Sequence, residues 1–545
     1  MHFLDHIEQI CKNAALSLYP GVDLTKATIT LNADPARAAF GDISFNGPLI
    51  IASATASKPR DVAATLVSAI IDPLIGQVEI AGPGFLNIRL SPIAYEQMCR
   101  ELTKNVAAVL QPKPGTSHRY SLEYVSANPT GPLHIGHGRG GIIGDTLARV
   151  LVFIGHTVDR EFYINDAGSQ IGKLGESLRA RYIEALGGEA TIPEEGYHGE
   201  YLVTIAHQCV ELYGATWIDK PASFFADYAK NMLLEAIKKT LHDYGVDFDT
   251  WFSEKRLHTD GSIDRVLTQL AKSGHLYEKD GALWFAATQF GDDKDRVVRR
   301  AQGDLTYVAA DIAYLENKLE RGFDRLVMVL GQDHHGYVSR LKAALAALGK
   351  SPQLLDVILY QLVTITDNGE LVRLSKRAGK IVSLADVTET VGRDVARFFY
   401  LHRKADAQLD FDLALALKKT DENPVYYIQY AYVRTGSMLE KGATLGLVPT
   451  VEYADELTPA EHLLLKKILS LRELLRSITT SYQVHQISYY VIELASLFHQ
   501  YYATNRVIDT NSPRTSASRL MIVSFVRDTI GLCLDLLGLE KPARM

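Results

Sequence analysis

The sequence predicts a multidomain α/β protein: an N-terminal α+β segment, a central doubly wound parallel sheet with a helical insertion, and a C-terminal all-α bundle. Three observations predict it. Strand-like and helix-like runs alternate through the middle of the chain, which is the signature of a parallel sheet. The last third keeps helical period almost throughout. The 545 residues, 47% hydrophobic and 22% charged, fill three or four domains at roughly 100–200 residues each.

That composition excludes collagen, disordered and coiled-coil chains. No apolar run approaches the ~20 residues of a bilayer span. Asp5 and Glu8 interrupt the stretch where a signal peptide needs an apolar core, so neither a membrane nor secretion is expected. Cys11, Cys99, Cys209 and Cys533 lie far apart with no C-x-x-C pair. A disulfide framework and a local Cys-based zinc site are therefore not expected, and a cytoplasmic location is. The net charge is −7, distributed as −1 over 1–115, −7 over 116–390 and +1 over 391–545. An acidic centre suits a cationic small substrate, although solvated helix faces give the same count.

Residues 1–112 mix short helices and strands. Leu4, Ile7, Ile10, Cys11 and Ala14 keep a helical stripe, Ala27–Leu31 and Val78–Ile80 read as strands, and Gly82-Pro83-Gly84 turns the chain into the alternating strand FLNIRL. Lys113-Pro114-Gly115 reads as a linker. Over 116–390, Tyr120–Val125 and Val158–Ile164 read as strands, and a long glycine-bearing helix starts at Ile135. Leu326–Leu330 is a short buried strand running into Gly331-Gln332-Asp333-His334-His335. A mostly helical, Glu-rich stretch at about 170–260 interrupts the pattern and reads as an insertion. Over 391–545, Leu463, Leu464, Ile468, Leu471, Leu474, Leu475 and Ile478 mark one amphipathic helix, and Val491, Leu494, Ala495, Leu497 and Phe498 another. Together they make a helix bundle.

The sharpest chemical signal is Pro132-Leu133-His134-Ile135-Gly136-His137, set between a strand and a helix. Two imidazoles at a helix start face its unpaired N–H groups and the positive end of its dipole, which makes an anion site. Their N–H groups can bond phosphate oxygens as charge builds in a phosphoryl-type transition state. Gly136 leaves room for a flat base against the backbone. The second signal is Val372-Arg373-Leu374-Ser375-Lys376-Arg377-Ala378-Gly379-Lys380, a basic, glycine-punctuated loop after the apolar run VILYQLVTIT. Such a loop can neutralise polyphosphate; a solvated basic turn has the same composition.

Together the two motifs resemble the HIGH and KMSKS signatures of class I aminoacyl-tRNA synthetases. The roughly 240 residues between them fit a Rossmann-type catalytic domain split by an insertion. The second motif departs from the usual wording at Arg373-Leu374 and at Arg377, but keeps the second lysine as Lys376. The segments SANPTGPLHIGH (126–137), NDAGSQIG (165–172), DDKDRVVRR and GDLTYVAADIAY (292–314), RGFDRLVMVLGQDHHGYVSRLKAAL (321–345) and ENPVYYIQYAYVR (422–434) are similar to bacterial-type arginyl-tRNA synthetases. AGPGFLNIRL (81–90) resembles that family's N-terminal additional domain, and VGRDVARFFYL (391–401) the start of its anticodon-binding bundle.

The resemblance implies domains at 1–112, 116–390 and 391–545, and ATP-dependent activation of L-arginine followed by transfer to tRNA(Arg). It implies catalytic roles for His134, His137 and Lys376. It places ATP against Pro132, Leu133, Gly136, Gly331, Asp333, His335 and Ser375. It places arginine against Glu123, Asn128, Tyr307, Asp311 and Gln332. Tyr307 and Asp311 are four apart, so on a helix they share a face, and a carboxylate suits a planar guanidinium. Many arginine enzymes of the family lack the second loop lysine and carry one just upstream of HIGH. Residues 114–133 here contain no lysine, so Lys376 is expected to supply the phosphate-binding ammonium.

Tyr427, Gln429, Tyr430 and Arg434 open the bundle, and Tyr501, Asn505 and Arg506 form a second cluster. Unstacked RNA bases stack on such aromatic groups, so both clusters are candidate tRNA contacts, as well as candidate helix core. Mg²⁺ is expected only in company with ATP, with no dedicated metal site, and the chain is expected to be a monomer. The rival readings are another H-x-G-H nucleotidyltransferase, which the helical third disfavours, and a non-catalytic tRNA-binding paralogue, which intact His134, His137 and Lys376 disfavour.

Overall fold

The computed structural model describes residues 2–113, 115–372, 383–454 and 457–545, with the side chains of 37–39 excepted. The chain forms two compact units, one built from residues 114–418 and 482–485, the other from 1–113, 419–481 and 486–545.

The core of the first unit is a five-stranded sheet. Its spatial order is Leu355–Tyr360, Arg325–Gly331, Arg119–Tyr124, Thr157–Ile164 and Thr250–Ser253. Every neighbouring pair is parallel. The central strands read as continuous apolar runs because helices cover both faces. Leu326, Val327 and Val329 are at most 2% exposed. Chain order along the sheet reverses between Arg119–Tyr124 and Arg325–Gly331, so the crevice beyond their carboxyl ends is where a doubly wound sheet binds its ligand.

Helix Ile135–Ile154 crosses the sheet at that reversal. It approaches closely because glycines face the strands: a Cβ on Gly144 would lie 2.2 Å from the Tyr124 ring. The 170–260 stretch forms the helices Ser169–Ala185, Glu200–Tyr213 and Ala222–Asp243, then returns to the sheet as its edge strand Thr250–Ser253. Leu174, Leu178, Tyr182, Leu202, Cys209 and Phe225 give these helices their own core. The apolar run VILYQLVTIT splits into two strands, Leu355–Tyr360 and Val363–Asp367. Only the first joins the main sheet; the second pairs with Leu409–Asp412.

In the second unit a four-stranded antiparallel sheet runs in the order Ile29–Leu31, Ile43–Phe45, Phe85–Leu90, Ile75–Ala81. The helices Pro424–Thr444, Pro459–Ser481, Gln486–Thr504 and Pro513–Leu537 form the bundle. The N-terminal segment is packed directly on that bundle. Arg472 grips Asp5 with two bonds of 2.8 Å, and Lys466 donates to Asp42 at 2.8 Å. The rings of Tyr95 and His462 stack 3.6 Å apart.

Candidate active site

The strand Arg119–Tyr124 ends at the sheet's reversal, and the chain leaves it through two residues of left-handed backbone, Val125 (φ 67°) and Ser126 (φ 42°). For side chains other than glycine such φ values cost about 1–3 kcal/mol each and gather at functional sites. The Ser126 hydroxyl fixes the turn by donating to Glu123 Oε1 at 3.3 Å and accepting the Tyr163 amide at 3.0 Å.

Eight residues on from Ser126, His134 caps helix Ile135–Ile154. His134 Nδ1 accepts the Gly136 amide at 3.2 Å, and His137 Nδ1 accepts the His134 amide at 3.0 Å. Both Nδ1 atoms are thus acceptors, which leaves the proton of each neutral ring on Nε2. Burial lowers both rings' proton affinity, His137 to a pKa of about 4 with His134 adding to the effect. At neutral pH the helix start therefore offers two neutral N–H donors beside the positive end of the dipole. Ser375 and Lys376 lie outside the described residues. The chain after them is tied to this same helix start: Ser383 bridges His134, and the Leu384 amide donates to Leu133 O at 3.0 Å.

A cavity of about 410 Å³ opens at the reversal, walled by Glu123, Asn128, His137, Asp311, Gly331 and Asp333 among others. Asp311 is the unsatisfied group in it. Its Oδ2 is buried without a hydrogen-bond partner among the described residues. Burial raises its pKa to about 7, with Glu254 and Glu123 adding to the rise and the Tyr337 hydroxyl and Arg340 opposing it. A buried carboxylate oxygen without a donor is costly, and a cation with N–H groups relieves that cost. Glu123 is in the opposite condition. It is 3% exposed, and its Oε2 takes Lys318 Nζ at 2.8 Å and lies 2.9 Å from the Tyr314 hydroxyl.

The other expected residues divide. Gly331 and Asp333 line the cavity; Gln332 and His335 are not among its lining residues. Asn128 lines it while donating to Gln170 at 3.0 Å. Tyr307 stands one turn before Asp311 on helix Tyr307–Glu320 but is 56% exposed and outside the cavity lining. Pro132, Leu133 and His134 line a second cavity of about 740 Å³ with Tyr197 and Tyr201, and His137 and Asn128 are common to both cavities. Among the described residues, His134 Nδ1 alone lies within 4 Å of a Cβ added at Gly136. Sequence reasoning passed over Tyr163, Asn165, Tyr314, Tyr337 and Tyr360, which also line the first cavity. Extending the helical stripe from Tyr307 and Asp311 by further turns would have reached Tyr314, and beneath it Lys318.

In the bundle, Tyr427 and Tyr430 flank His499, with ring centroids 4.7 and 5.6 Å away. The Arg434 guanidinium lies over the Tyr502 ring and bonds its hydroxyl. Gln429 reaches Glu540 O at 3.3 Å. Arg506, mostly exposed, bonds Ile508 O, and Asn505 bonds Tyr501 O. Tyr501 is placed in the bundle interior rather than on its surface: it is 4% exposed, with its hydroxyl on Glu461 at 2.8 Å.

Family models match along nearly the whole chain. Residues 1–90 match the arginyl tRNA synthetase N-terminal domain, 101–198 and 224–404 the catalytic domain of class I (R) tRNA synthetases, and 428–545 the DALR anticodon binding domain. An arginine–tRNA ligase of Moorella thermoacetica is 44% identical over 526 residues, covering 94% of this chain and 93% of its own. The chain belongs to the arginyl-tRNA synthetase family. An arginine–tRNA ligase of Halalkalibacterium halodurans is 42% identical over 521 residues, covering 94% of this chain and 93% of its own. The arginyl-tRNA synthetase of Thermus thermophilus has the same fold, with a TM-score of 0.75 at 20% identity over 99% of this chain and all of that one.

Among the described residues no helix is long and apolar enough to cross a membrane. No three His, Cys, Asp or Glu side chains converge on a metal position among the described residues. The four cysteines are buried free thiols.

Proposed function

We propose that the protein activates L-arginine with ATP to arginyl-adenylate and transfers the arginyl group to the 3′-terminal adenosine of tRNA(Arg). The observation that carries this reading is the single cavity that holds, on its walls, a buried carboxylate with one unpartnered oxygen, Asp311, and the phosphate-type donor His137. Asp311 Oδ2 takes the guanidinium of arginine, and Glu123 faces the same cation. Asn128 orients the amino acid. The substrate carboxylate then stands near the helix start, where the Nε2–H groups of His134 and His137 bond the α-phosphate oxygens as negative charge grows on them. Gly331 and Asp333 sit at the end of the neighbouring strand and accommodate the ribose of ATP. Attack of the arginine carboxylate oxygen on the α-phosphorus forms the mixed anhydride and releases pyrophosphate.

This chemistry needs no covalent nucleophile; positioning and charge stabilisation are sufficient. The Lys376 ammonium neutralises the triphosphate. Mg²⁺, when bound in company with ATP, would supply neutralising charge. Tyr430, Arg434 and the nearby rings of Tyr427 and His499 offer stacking faces to unpaired tRNA bases. Buried unpaired thiols suit the reducing cytoplasm.

The test is to charge bulk tRNA with each of the twenty amino acids. Arginine alone is expected to be attached, and only with ATP present. Charging of another amino acid, or none, overturns the reading.

A further inference from the structure

Beneath the cavity the sheet register sets two glutamates side by side. Glu123 pairs directly with Glu161 on the neighbouring parallel strand. They are 3% and 0% exposed. Adjacent like charges in a sheet repel, and an uncompensated buried carboxylate costs several kcal/mol. The overlying helix supplies the compensation. Tyr314 and Lys318 are one turn apart on it, and Arg321 follows its last residue. Lys318, 1% exposed, spends its ammonium on three acceptors: Glu123 Oε2 at 2.8 Å, Ser121 Oγ at 3.2 Å and Glu161 Oε1 at 3.3 Å. Arg321 pairs with the other oxygen of Glu161 at 2.5 Å.

The two oxygens of Glu123 are therefore unequal. Oε2 is held by the lysine and lies against the tyrosine hydroxyl, whereas among the described residues Oε1 carries only the long 3.3 Å bond from Ser126. Lys318 is not among the residues lining the cavity, and Glu123 is. We propose that Lys318 is a positioning residue for arginine recognition, pinning one oxygen of Glu123 so that the other is presented to the guanidinium. The division of labour follows from the chemistry. Asp311 offers its unpartnered Oδ2, Glu123 offers one fixed oxygen, and a cation with several N–H directions satisfies both. The inference rests on the reading above that Glu123 faces the substrate.

The test is a double-mutant cycle on the full-length protein, with arginine and ATP affinities measured separately. Lys318→Met is expected to weaken arginine binding about tenfold or more, the scale of a lost charged hydrogen bond, with ATP affinity changed less than about twofold. In a Glu123→Gln background the same substitution is expected to add less than about threefold, because its effect passes through Glu123. A folded Lys318→Met protein with unchanged arginine affinity overturns the proposal. So does an equal further loss in the Glu123→Gln background, which marks a general structural role. If Glu123→Gln alone leaves arginine affinity intact, the underlying reading of Glu123 fails instead. Should Lys318→Met not fold, Tyr314→Phe removes, with volume conserved, a hydroxyl that lies against Glu123 Oε2 and also bonds Glu161 Oε1. A few-fold loss of arginine affinity, absorbed by Glu123→Gln, is expected there, and unchanged affinity overturns the proposal.

Discussion

His134 and His137 are locked into one tautomer by each other's turn of helix: the ring of His137 accepts the main-chain N–H of His134 at 3.0 Å. The histidine pair is thus a capping box and a donor pair at once. Protonating either Nδ1 destroys the cap, so the cap and the donors share one protonation state.

Two consequences are measurable. Replacing His137 with Asn is expected to cut turnover about 10²–10³-fold, the scale of one lost transition-state donor, with arginine affinity nearly unchanged. The folded pKa of His137, about 4, lies below the unfolded value of 6.5. Its stabilising contribution is therefore complete above pH 6.5 and is lost as pH falls toward 4. Thermal unfolding across that window is expected to be less pH-dependent in His137→Asn than in the parent. An identical slope contradicts the neutral-ring assignment.

The helix–sheet contact at Gly144 is a packing prediction. A methyl group there would sit 2.2 Å from the Tyr124 ring, inside the overlap that cores do not tolerate. Gly144→Ala is expected to destabilise the protein by roughly 1–3 kcal/mol despite alanine's better helix propensity. Denaturant unfolding measures it, and a stabilised variant would mean the helix can lift off the sheet freely.

In the other unit, Asp42 joins the N-terminal sheet to the bundle. Burial opposes its charge, but Lys466 and the Leu90 amide outweigh burial and lower its pKa. Lys466→Met leaves that carboxylate without its cation. Faster hydrogen exchange in strand Phe85–Leu90 is expected, with exchange in Arg325–Gly331 unaffected. Unchanged exchange would show that the remaining contacts hold the segment alone.

Much of this architecture was legible because its signals are local. The strand FLNIRL appears at Phe85–Leu90, and the H-x-G-H turn lies where a strand gives way to a helix. Period and capping chemistry depend on neighbours in the chain, so sequence carries them. Tyr307 and Asp311 do share a helix face, yet Tyr307 is exposed while Asp311 enters the cavity. One turn of helix rise separated them, and only the sheet's position decides which is covered. Lys318 was invisible for another reason. A lysine in a helix reads as a solvated charge until the register of Glu123 with Glu161 places two carboxylates beneath it. Tyr501 reads as an RNA contact until Glu461, forty residues earlier, claims its hydroxyl.

Lys376 lies outside the described residues, and its role rests on sequence. Lys376→Ala is expected to lower turnover by about 10³-fold with tRNA affinity little changed, since it removes an ammonium used only on the triphosphate. Steady-state charging together with a tRNA binding assay separates the two quantities. Equal turnover removes the assigned role.

The central claim is that Asp311 is the guanidinium acceptor of the cavity. Its pKa of about 7 is raised from 3.8 by burial first, then by Glu254 and Glu123. In the unliganded protein its contribution to stability is present below pH 4 and lost as pH rises through 7. A guanidinium pairs only with the ionised form, so binding below pH 7 must expel a proton. Calorimetric titration of arginine from pH 5.5 to 8.5, in buffers of different ionisation heat, tests this directly. Affinity is expected to rise with pH and level off above about 7, with close to one proton released per arginine bound at the acid end. Asp311→Asn is expected to abolish both effects and to weaken binding a hundredfold or more. A pH-independent affinity without proton release, or full affinity in Asp311→Asn, would contradict the account.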